Sequence, residues 1–309
     1  MDPALNPLQL VEFSDEAAAS DPRLDPFRGI RDRELRGTLG LHAIESERVV
    51  RRFLVAALRR LGHPMPPILE PHALLATPDA VERLLDVLVP AQRAFPRFAV
   101  YRLGGERSLH AVTGYTMHSG AVAIGVRHDD GSVGALAACL ARGVQPVRDV
   151  LVALDGITQT DNVGAIFRNA ASFGARGAIL SPRASDPFLR KTLRVSMGRA
   201  LNIPWGRARS DEWPACLESL RRDHGYAIVA AEDTPDARPL ASFRAPNRAI
   251  VVFGAEQDGV SREVLAMADA VVKIPMLAPG GALSEALADD PPSLNVSIAS
   301  AVVLHHLTT

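Results

Sequence analysis

The sequence predicts an α/β protein whose second half forms a mostly parallel sheet with helices on both faces. Short apolar runs typical of buried strands recur there, and segments with helical periodicity lie between them. A length of 309 residues exceeds what one core usually holds, which favours two domains. The predicted strands are Val150–Leu154, Gly177–Leu180, Tyr226–Ala231, Ala249–Gly254 and Val271–Ile274, and a last helix runs from Val296 to His306.

The first half predicts a smaller α/β domain. Apolar residues from Glu45 to Leu61 recur with the period of a helix, and a second helical segment follows at Pro78–Val89. A strand is predicted for RFAVYRL, and a strand, a glycine turn and a second strand for LHAVTGYTMHSGAVAIGVR. A short helix ends at Gly143, so we place the domain boundary near residue 145. The predicted organisation is a flexible tail over residues 1–20, a domain over 21–145 and a domain over 146–309.

Composition is typical of a globular protein of the cytoplasm. Hydrophobic residues make up 47% and charged residues 22%, and no apolar run is long enough for a membrane helix. Cys139 and Cys216 are far apart, as expected in a reducing compartment, and the N-terminus lacks the order of a signal peptide. The formal net charge of −1 argues against a protein that is basic throughout, but it leaves room for a local basic patch.

The sequence lacks the common cofactor and metal motifs. No G-x-G-x-x-G follows a strand, and there is no phosphate-binding G-x-x-x-x-G-K-[ST] loop. There is also no H-E-x-x-H, no Cys/His cluster and no G-x-S-x-G elbow. We therefore expect neither a metal site nor a serine nucleophile.

Polar side chains instead follow three of the predicted strands. Asn162 opens a helix of small residues, and Arg168 projects from the second turn of that helix. Glu256 follows the strand AIVVFG, and Ser293 and Asn295 precede the last helix. Ligands of open α/β sheets bind at the carboxyl ends of the strands. Each place alone also fits a helix cap, a turn or a tight helix contact, whereas the three together favour one functional site.

These three places resemble the three motifs of the SpoU/TrmH family of RNA 2′-O-ribose methyltransferases, which belong to the SPOUT class. The motifs read DNVGAIFRNAASFGA, VVFGAEQDGVS and IPM…SLNVSIASAV. The first half more weakly resembles the ribosomal-protein-like α/β RNA-binding domain of the family. The resemblance implies a parallel-sheet domain with a deep trefoil knot, a homodimer formed through that domain, and S-adenosyl-L-methionine as cofactor. Knots are otherwise almost unknown in proteins.

By this resemblance the catalytic residues are Asn162, Arg168, Glu256, Ser293 and Asn295. Arginine is a poor base because it stays protonated. We therefore favour a role in which Arg168 binds the phosphate beside the target ribose and stabilises the developing alkoxide. The alternative, that Arg168 is the base as offered for the family, stays open. The residues expected to bind the cofactor are Phe253, Gly254, Ala255, Gly259, Ile274, Pro275, Met276, Leu294 and Val296.

A run of basic residues follows the first motif and predicts RNA-phosphate contacts, with a merely solvated surface as the alternative. The predicted RNA-binding residues are Arg183, Arg190, Lys191, Arg194, Arg199 and Arg207.

The chain departs from the family pattern at residues 277–292, which separate IPM from SLN. This insertion falls in the loop expected to wrap the cofactor. Three roles fit it: a lid, a contact with a partner, or a surface loop without function. Thr160–Asp161 also replaces an Asp-Pro that many relatives carry, at a position where a helix cap tolerates change.

The sequence thus predicts transfer of a methyl group from S-adenosylmethionine to a ribose 2′-hydroxyl of tRNA or rRNA, without metal or membrane. Two alternatives remain at this point. One is a non-catalytic RNA-binding or assembly factor that retains the fold, and the other is an RNA base methyltransferase of the same fold.

Overall fold

The structure, a computed structural model, describes residues 8–29, 40–62, 69–114, 119–127, 131–142, 146–276 and 293–309. The strands are β1 (Leu10–Glu12), β2 (Leu41–Glu45), β3 (Leu69–Ala76), β4 (Ala99–Arg102), β5 (Ala121–Arg127), β6 (Asp149–Asp155), β7 (Gly177–Leu180), β8 (Trp205–Arg207), β9 (Ala227–Ala231), β10 (Arg238–Pro239), β11 (Arg248–Gly254) and β12 (Ala270–Lys273). The α-helices are α1 (Asp15–Ser20), α2 (Glu47–Arg59), α3 (Pro78–Ala94), α4 (Glu106–Thr113), α5 (Val133–Arg142), α6 (Thr160–Ser172), α7 (Arg190–Val195), α8 (Ala215–His224), α9 (Arg262–Met267) and α10 (Val296–Thr308).

Contacts divide the chain into two compact units, each built from two stretches of sequence. The first comprises Met1–Gly131 and Asp186–Asn202, and the second comprises Ser132–Ser185 and Ile203–Thr309. This division differs from the predicted boundary near residue 145 in two respects. Helix α5 belongs to the second unit, and the segment that carries α7 belongs to the first.

The first unit contains a five-stranded mixed sheet in the order β1-β4-β3-β5-β2. The prediction of a flexible tail over residues 1–20 is wrong from Leu10 onward, because β1 pairs in parallel with β4. Phe13 is 7% exposed and packs edge-on against Tyr101, with the ring centroids 5.7 Å apart. Burial of these apolar side chains therefore fixes a segment whose acidic composition predicted a loose end.

The strand predicted for the start of LHAVTGYTMHSGAVAIGVR is also wrong, because α4 covers most of those residues. Val112 and Thr113 are β-branched residues of the kind that strands favour, but Leu109 and Val112 are three apart and both are buried, which suits a helix. Gly114 ends the helix with φ +77°, a left-handed conformation that favours glycine. The second strand of that prediction corresponds to β5.

Buried polar contacts hold the segment Asp186–Asn202 within the first unit. The Asp186 carboxylate lies 2.7 Å from the Arg127 guanidinium, and each side chain is less than 10% exposed. His42 Nδ1 lies 3.1 Å from the Phe188 carbonyl, and Arg60 donates to the Leu201 carbonyl at 2.6 Å. Burial disfavours ionisation of Asp186, but Arg127 outweighs it and lowers the pKa of the carboxyl.

The second unit contains a seven-stranded sheet in the order β10-β12-β9-β11-β6-β7-β8, and every neighbouring pair is parallel. The predicted α/β fold with a parallel sheet is confirmed. The predicted strands of this half are each found within one residue of their observed ends. Strands β8 and β10 were not predicted, because three and two residues are too short to show a period.

Two helices of this unit carry the motif residues. Helix α6 follows β6, and α10 packs against both α6 and the β6–β11 part of the sheet. No helix in the described parts of the chain combines the length and apolarity needed to cross a membrane. The predicted insertion at residues 277–292 lies outside the described residues.

Candidate active site

The site lies at the carboxyl ends of β6 and β11, which are neighbours in the sheet. Asp155, the last residue of β6, stands opposite Gly254, the last residue of β11. Helix α6 begins five residues after β6, and the Asn162 side chain in its first turn is only 5% exposed. Glu256 follows β11 by two residues. The register of two parallel strands therefore brings together motifs that are far apart in the sequence.

Glu256 is the centre of the site, because three amide groups donate to its carboxylate. Asn162 Nδ2 and Asn295 Nδ2 lie 2.7 and 2.8 Å from Oε1. Gln159 Nε2 lies 2.5 Å from Oε2. Hydrogen bonds to an ionised acceptor are stronger than those between neutral groups. Three of the five predicted catalytic residues are thus joined directly, one from each motif.

The orientation of Asn295 follows from its position as the N-cap of α10. Its Oδ1 accepts hydrogen bonds from the Ser297 backbone N–H at 2.8 Å and from Ser297 Oγ at 2.6 Å. Because the cap uses the oxygen, the amide nitrogen is left to donate to Glu256. Helix capping therefore sets the geometry of a motif residue.

A tight turn after β11 carries Glu256 and depends on two glycines. A Cβ on Gly254 would lie 2.0 Å from the Gly259 carbonyl carbon, so only glycine permits this approach of the backbone. Gly259 adopts φ +64°, and a Cβ there would lie 2.6 Å from Glu232 Oε2. The Glu232 carboxylate accepts the Val260 backbone N–H at 2.7 Å and so braces the turn from β9.

A cleft of about 750 Å³ opens beside Glu256, between the ends of β9, β11 and β12 and the start of α10. Of the nine predicted cofactor-binding residues, all but Pro275 line it. Apolar side chains such as Val272, Ile274 and Val303 form part of the wall, and Lys273 lines it as well. Ser293 and Asn295 line it as well, which brings the third motif to the same cleft.

The remaining predicted catalytic residue, Arg168, lies apart from this group. It is exposed on α6, and it is not among the described residues that line the cleft. Six residues separate it from Asn162, which at 100° per residue puts the two side chains about 120° apart around the helix. Asn162 and Arg168 therefore leave α6 on different sides of the helix.

The six predicted RNA-binding residues are divided between the two units. Arg190, Lys191, Arg194 and Arg199 belong to the first, and Arg183 and Arg207 belong to the second. Arg183, Lys191, Arg194 and Arg199 are exposed.

Arg190 and Arg207 each make contacts within their own unit. Arg190 lies 3.0 Å from Glu45. Arg207 donates to the carbonyls of Ser181, Pro182 and Ala184, and the last of these bonds is 2.6 Å long. Arg207 thus stabilises the loop after β7.

Sequence reasoning missed three residues that organise the site. Gln159 precedes α6 and holds the second oxygen of Glu256. Asn169 Nδ2 donates to the Ser297 carbonyl at 2.8 Å and to Ser300 Oγ at 2.9 Å, and so joins α6 to α10. Glu232 braces the glycine turn. The signal available in the sequence was a polar residue within a helix of small apolar ones, as at Asn169. No group of three or more His, Cys, Asp or Glu side chains in the described residues is arranged to hold a metal ion.

Comparison with known proteins identifies the family. The model of the SpoU rRNA methylase family matches residues 149–305, about half of the chain and nearly all of the second unit. The chain belongs to this family. An uncharacterized tRNA/rRNA methyltransferase of Mycobacterium tuberculosis is 28% identical over 305 residues, which cover 96% of this chain and 92% of that protein. One from Mycolicibacterium smegmatis is 36% identical over 155 residues, or 50% of this chain and 45% of the other.

Solved structures share the fold over the whole chain. An AdoMet-bound rRNA methyltransferase from Sinorhizobium meliloti superposes with a TM-score of 0.70 at 21% identity, covering 96% of this chain and 97% of that one. A structure described as an RNA 2′-O ribose methyltransferase has a TM-score of 0.65 at 19% identity and covers 97% and 98%. At these identities the likeness is one of fold. It extends through both units of this SpoU protein.

Proposed function

We propose that this SpoU protein transfers a methyl group from S-adenosylmethionine to the 2′-hydroxyl of a ribose in tRNA or rRNA. The observation that carries the proposal is the convergence of Asn162 and Asn295 on Glu256 at the mouth of the cleft. One residue of each motif takes part, and the cleft beside them has room for a nucleoside-sized ligand. Family membership supplies the reaction class.

S-adenosylmethionine is the cofactor, and the cleft fits it in size and lining. Small-molecule sites usually measure roughly 300–1,000 Å³, and this cleft measures about 750 Å³. The apolar wall of Val272, Ile274 and Val303 suits an adenine ring, while backbone at Phe253–Ala255 offers polar groups. When bound, the cofactor supplies an electrophilic methyl group on a sulfonium sulfur, so the reaction needs a positioned nucleophile rather than a metal.

The residues around Glu256 position the ribose. Asn162 and Asn295 hold the carboxylate in one orientation, and Gln159 holds its other oxygen. A carboxylate fixed in this way is a hydrogen-bond acceptor directed at the mouth of the cleft. Ser293, exposed beside it, adds a hydroxyl that can donate to or accept from the sugar. Arg168 supplies the positive charge for the neighbouring phosphate and for the oxygen as its proton leaves.

The proposal includes a homodimer formed through the second unit. Leu294, Ile298 and Val302 follow one another at intervals of four residues and are 40%, 54% and 41% exposed. Such an apolar stripe is typical of a helix that packs against another surface. A second copy of this chain is the proposed occupant, because the site of one chain lacks the guanidinium of Arg168.

The position of Arg168 supports a site shared between two subunits. Arg168 is next to Asn169, which is bonded to the backbone of Ser297, and Ile298 follows Ser297. Arg168 and the stripe are therefore each next in sequence to a residue of one α6–α10 contact, and we propose that an isologous dimer through the stripe brings Arg168 to the cleft of the partner subunit.

Mixed dimers test this arrangement. We expect Arg168→Ala and Asn295→Ala to be inactive alone and a co-expressed heterodimer of the two to regain activity, because one of its two sites is intact. A heterodimer as inactive as its parents would refute a shared site.

We infer that the second unit contains the deep trefoil knot of the family and that the first unit binds RNA. We infer that the exposed residues Lys191, Arg194 and Arg199 of the first unit contact RNA phosphates. Because tRNA and ribosomes are cytoplasmic, the proposed location is the cytoplasm.

Transfer of labelled methyl from S-adenosylmethionine to tRNA and, separately, to undermethylated rRNA tests the reaction. After alkaline hydrolysis we expect label in dinucleotides, because a 2′-O-methyl group blocks cleavage at its own nucleotide. Label only in mononucleotides would indicate a base methyltransferase. RNA binding without transfer, in a protein that fails to bind the donor, would favour a non-catalytic assembly factor.

A further inference from the structure

The described residues that line the cleft beside Glu256 carry a net negative charge. Four of the described residues that line it carry carboxylates, namely Glu232, Asp233, Glu256 and Asp258. Lys273 is the one cation among those lining residues, which leaves three negative charges in excess.

Polar contacts hold Lys273, Asp233 and Glu232 in place. Lys273 Nζ lies 3.4 Å from Asp233 Oδ1 and donates to the Thr234 carbonyl at 3.1 Å. Glu232 is half-buried, and Oε2 is fixed by the Val260 backbone N–H. Glu232 therefore presents a fixed negative charge to the cleft without a basic side chain bonded to it in the described structure. Fixed charges in a partly desolvated cleft act more strongly than charges in open water.

The methyl donor and its product differ in charge. At neutral pH S-adenosylmethionine carries a sulfonium, an ammonium and a carboxylate, for a net charge of +1. Transfer forms the bond from the ribose oxygen to the methyl carbon and breaks the bond from carbon to sulfur. The electron pair of that bond stays on sulfur, and the hydroxyl proton passes to water. The product, S-adenosylhomocysteine, is a thioether with net charge zero.

We propose that Glu232 and Asp233 make this cleft select the cationic donor over the neutral product, so that methyl transfer itself weakens the hold on the spent cofactor. The inference rests on the proposed function, because it takes the cleft to be the donor site. It adds a specificity role for two residues that lie outside the three motifs. Their carboxylates attract the sulfonium and gain nothing from the thioether.

Equilibrium binding by calorimetry tests the inference with three ligands: S-adenosylmethionine, S-adenosylhomocysteine and sinefungin, which carries an ammonium in place of the sulfonium. We expect Glu232→Gln to weaken the two cationic ligands about three- to tenfold and to change the neutral product by less than twofold. The glutamine carbonyl can still accept the Val260 N–H, so the turn is preserved. Raising the salt concentration should weaken the cationic ligands selectively.

Two further variants complete the design. Asp233→Asn, which removes a carboxylate without touching the turn, should give the same selective loss and serves if Glu232→Gln fails to fold. Glu263→Gln is the matched control, because Glu263 is exposed in the first turn of α9 and lies outside the lining of the cleft. It should change none of the three affinities.

The outcomes separate this inference from the function on which it rests. Wild-type protein that binds neither donor nor product would overturn the proposed function itself. Wild-type protein that binds both, with variants that weaken both equally or neither, would overturn the charge selection and leave the methyltransferase proposal standing.

Discussion

The contact between α6 and α10 gives a prediction that needs no substrate. Asn169 makes two hydrogen bonds across it, to the Ser297 carbonyl and to Ser300 Oγ. A hydrogen bond of this kind contributes about 1 kcal/mol to the free energy of unfolding, so Asn169→Ala should cost about 2 kcal/mol. The loss should not greatly exceed this, because Ser300 Oγ still donates to the Ser297 carbonyl at 2.7 Å and leaves no orphaned acceptor.

Thermal unfolding followed by circular dichroism measures the effect. For a unit of this size about 2 kcal/mol lowers Tm by about 4–8 °C. Ser172→Ala is the control: Ser172 is exposed on the same helix, and its hydroxyl donates only to the backbone of its own helix, at Arg168. If Asn169→Ala lowered Tm as little as Ser172→Ala does, the inference that the Asn169 side chain joins the two helices would be refuted. Donor affinity should fall along with Tm, because both helices begin at residues bonded to Glu256.

Three further predictions concern the site and the first unit. Glu256→Gln keeps the shape of the side chain but loses the charge that strengthens the hydrogen bonds from the two asparagines. A loss of about 1–2 kcal/mol should lower kcat/KM about 5- to 30-fold in the methyl-transfer assay. An unchanged kcat/KM would contradict the role given to the carboxylate. Gly254→Ala drives a Cβ into the Gly259 backbone, so donor binding by calorimetry should weaken at least about tenfold, whereas retained affinity would mean that the turn can move aside. The lowered pKa of Asp186 means that its contribution to stability is fully present above about pH 4, the unfolded value, and is lost as the pH falls through the folded value. At pH 7 Asp186→Asn should therefore lower Tm and speed hydrogen exchange over residues 186–202, and exchange equal to wild type would rule out the Arg127 pair as their anchor.

Sequence reasoning recovers the parts of this protein that depend on local signals. The strands of the second half are long and apolar, and Asn162, Glu256 and Asn295 stand at strand or helix ends where a motif is visible. Gln159 could not be found in this way, because its partner Glu256 lies 97 residues away. The same limit explains Asp186, which forms its buried pair with a residue 59 positions earlier.

Local patterns also failed where two structures fit equally well. The five residues LHAVT end in two β-branched residues that suit a strand, yet Leu109 and Val112 lie on the buried side of a helix, and only the tertiary core decides between the two. The angular position of Arg168 was available from the sequence, since a step of six residues along a helix leaves two side chains about 120° apart. The exposure of the stripe beside it was not, because burial depends on what packs against α10.

The interleaving of the two units has a consequence for how the chain is made. A ribosome releases residues 1–131 long before Asp186–Asn202, so the first unit leaves the exit tunnel without the carboxylate that pairs with Arg127. By the time that segment emerges, β6 and β7 have already been synthesised. We therefore expect that the first unit cannot finish folding before part of the second unit has been synthesised. For the same reason, recombination between relatives near residue 145 would separate Arg127 from its own Asp186, and the two halves of the gene are expected to be inherited as one block.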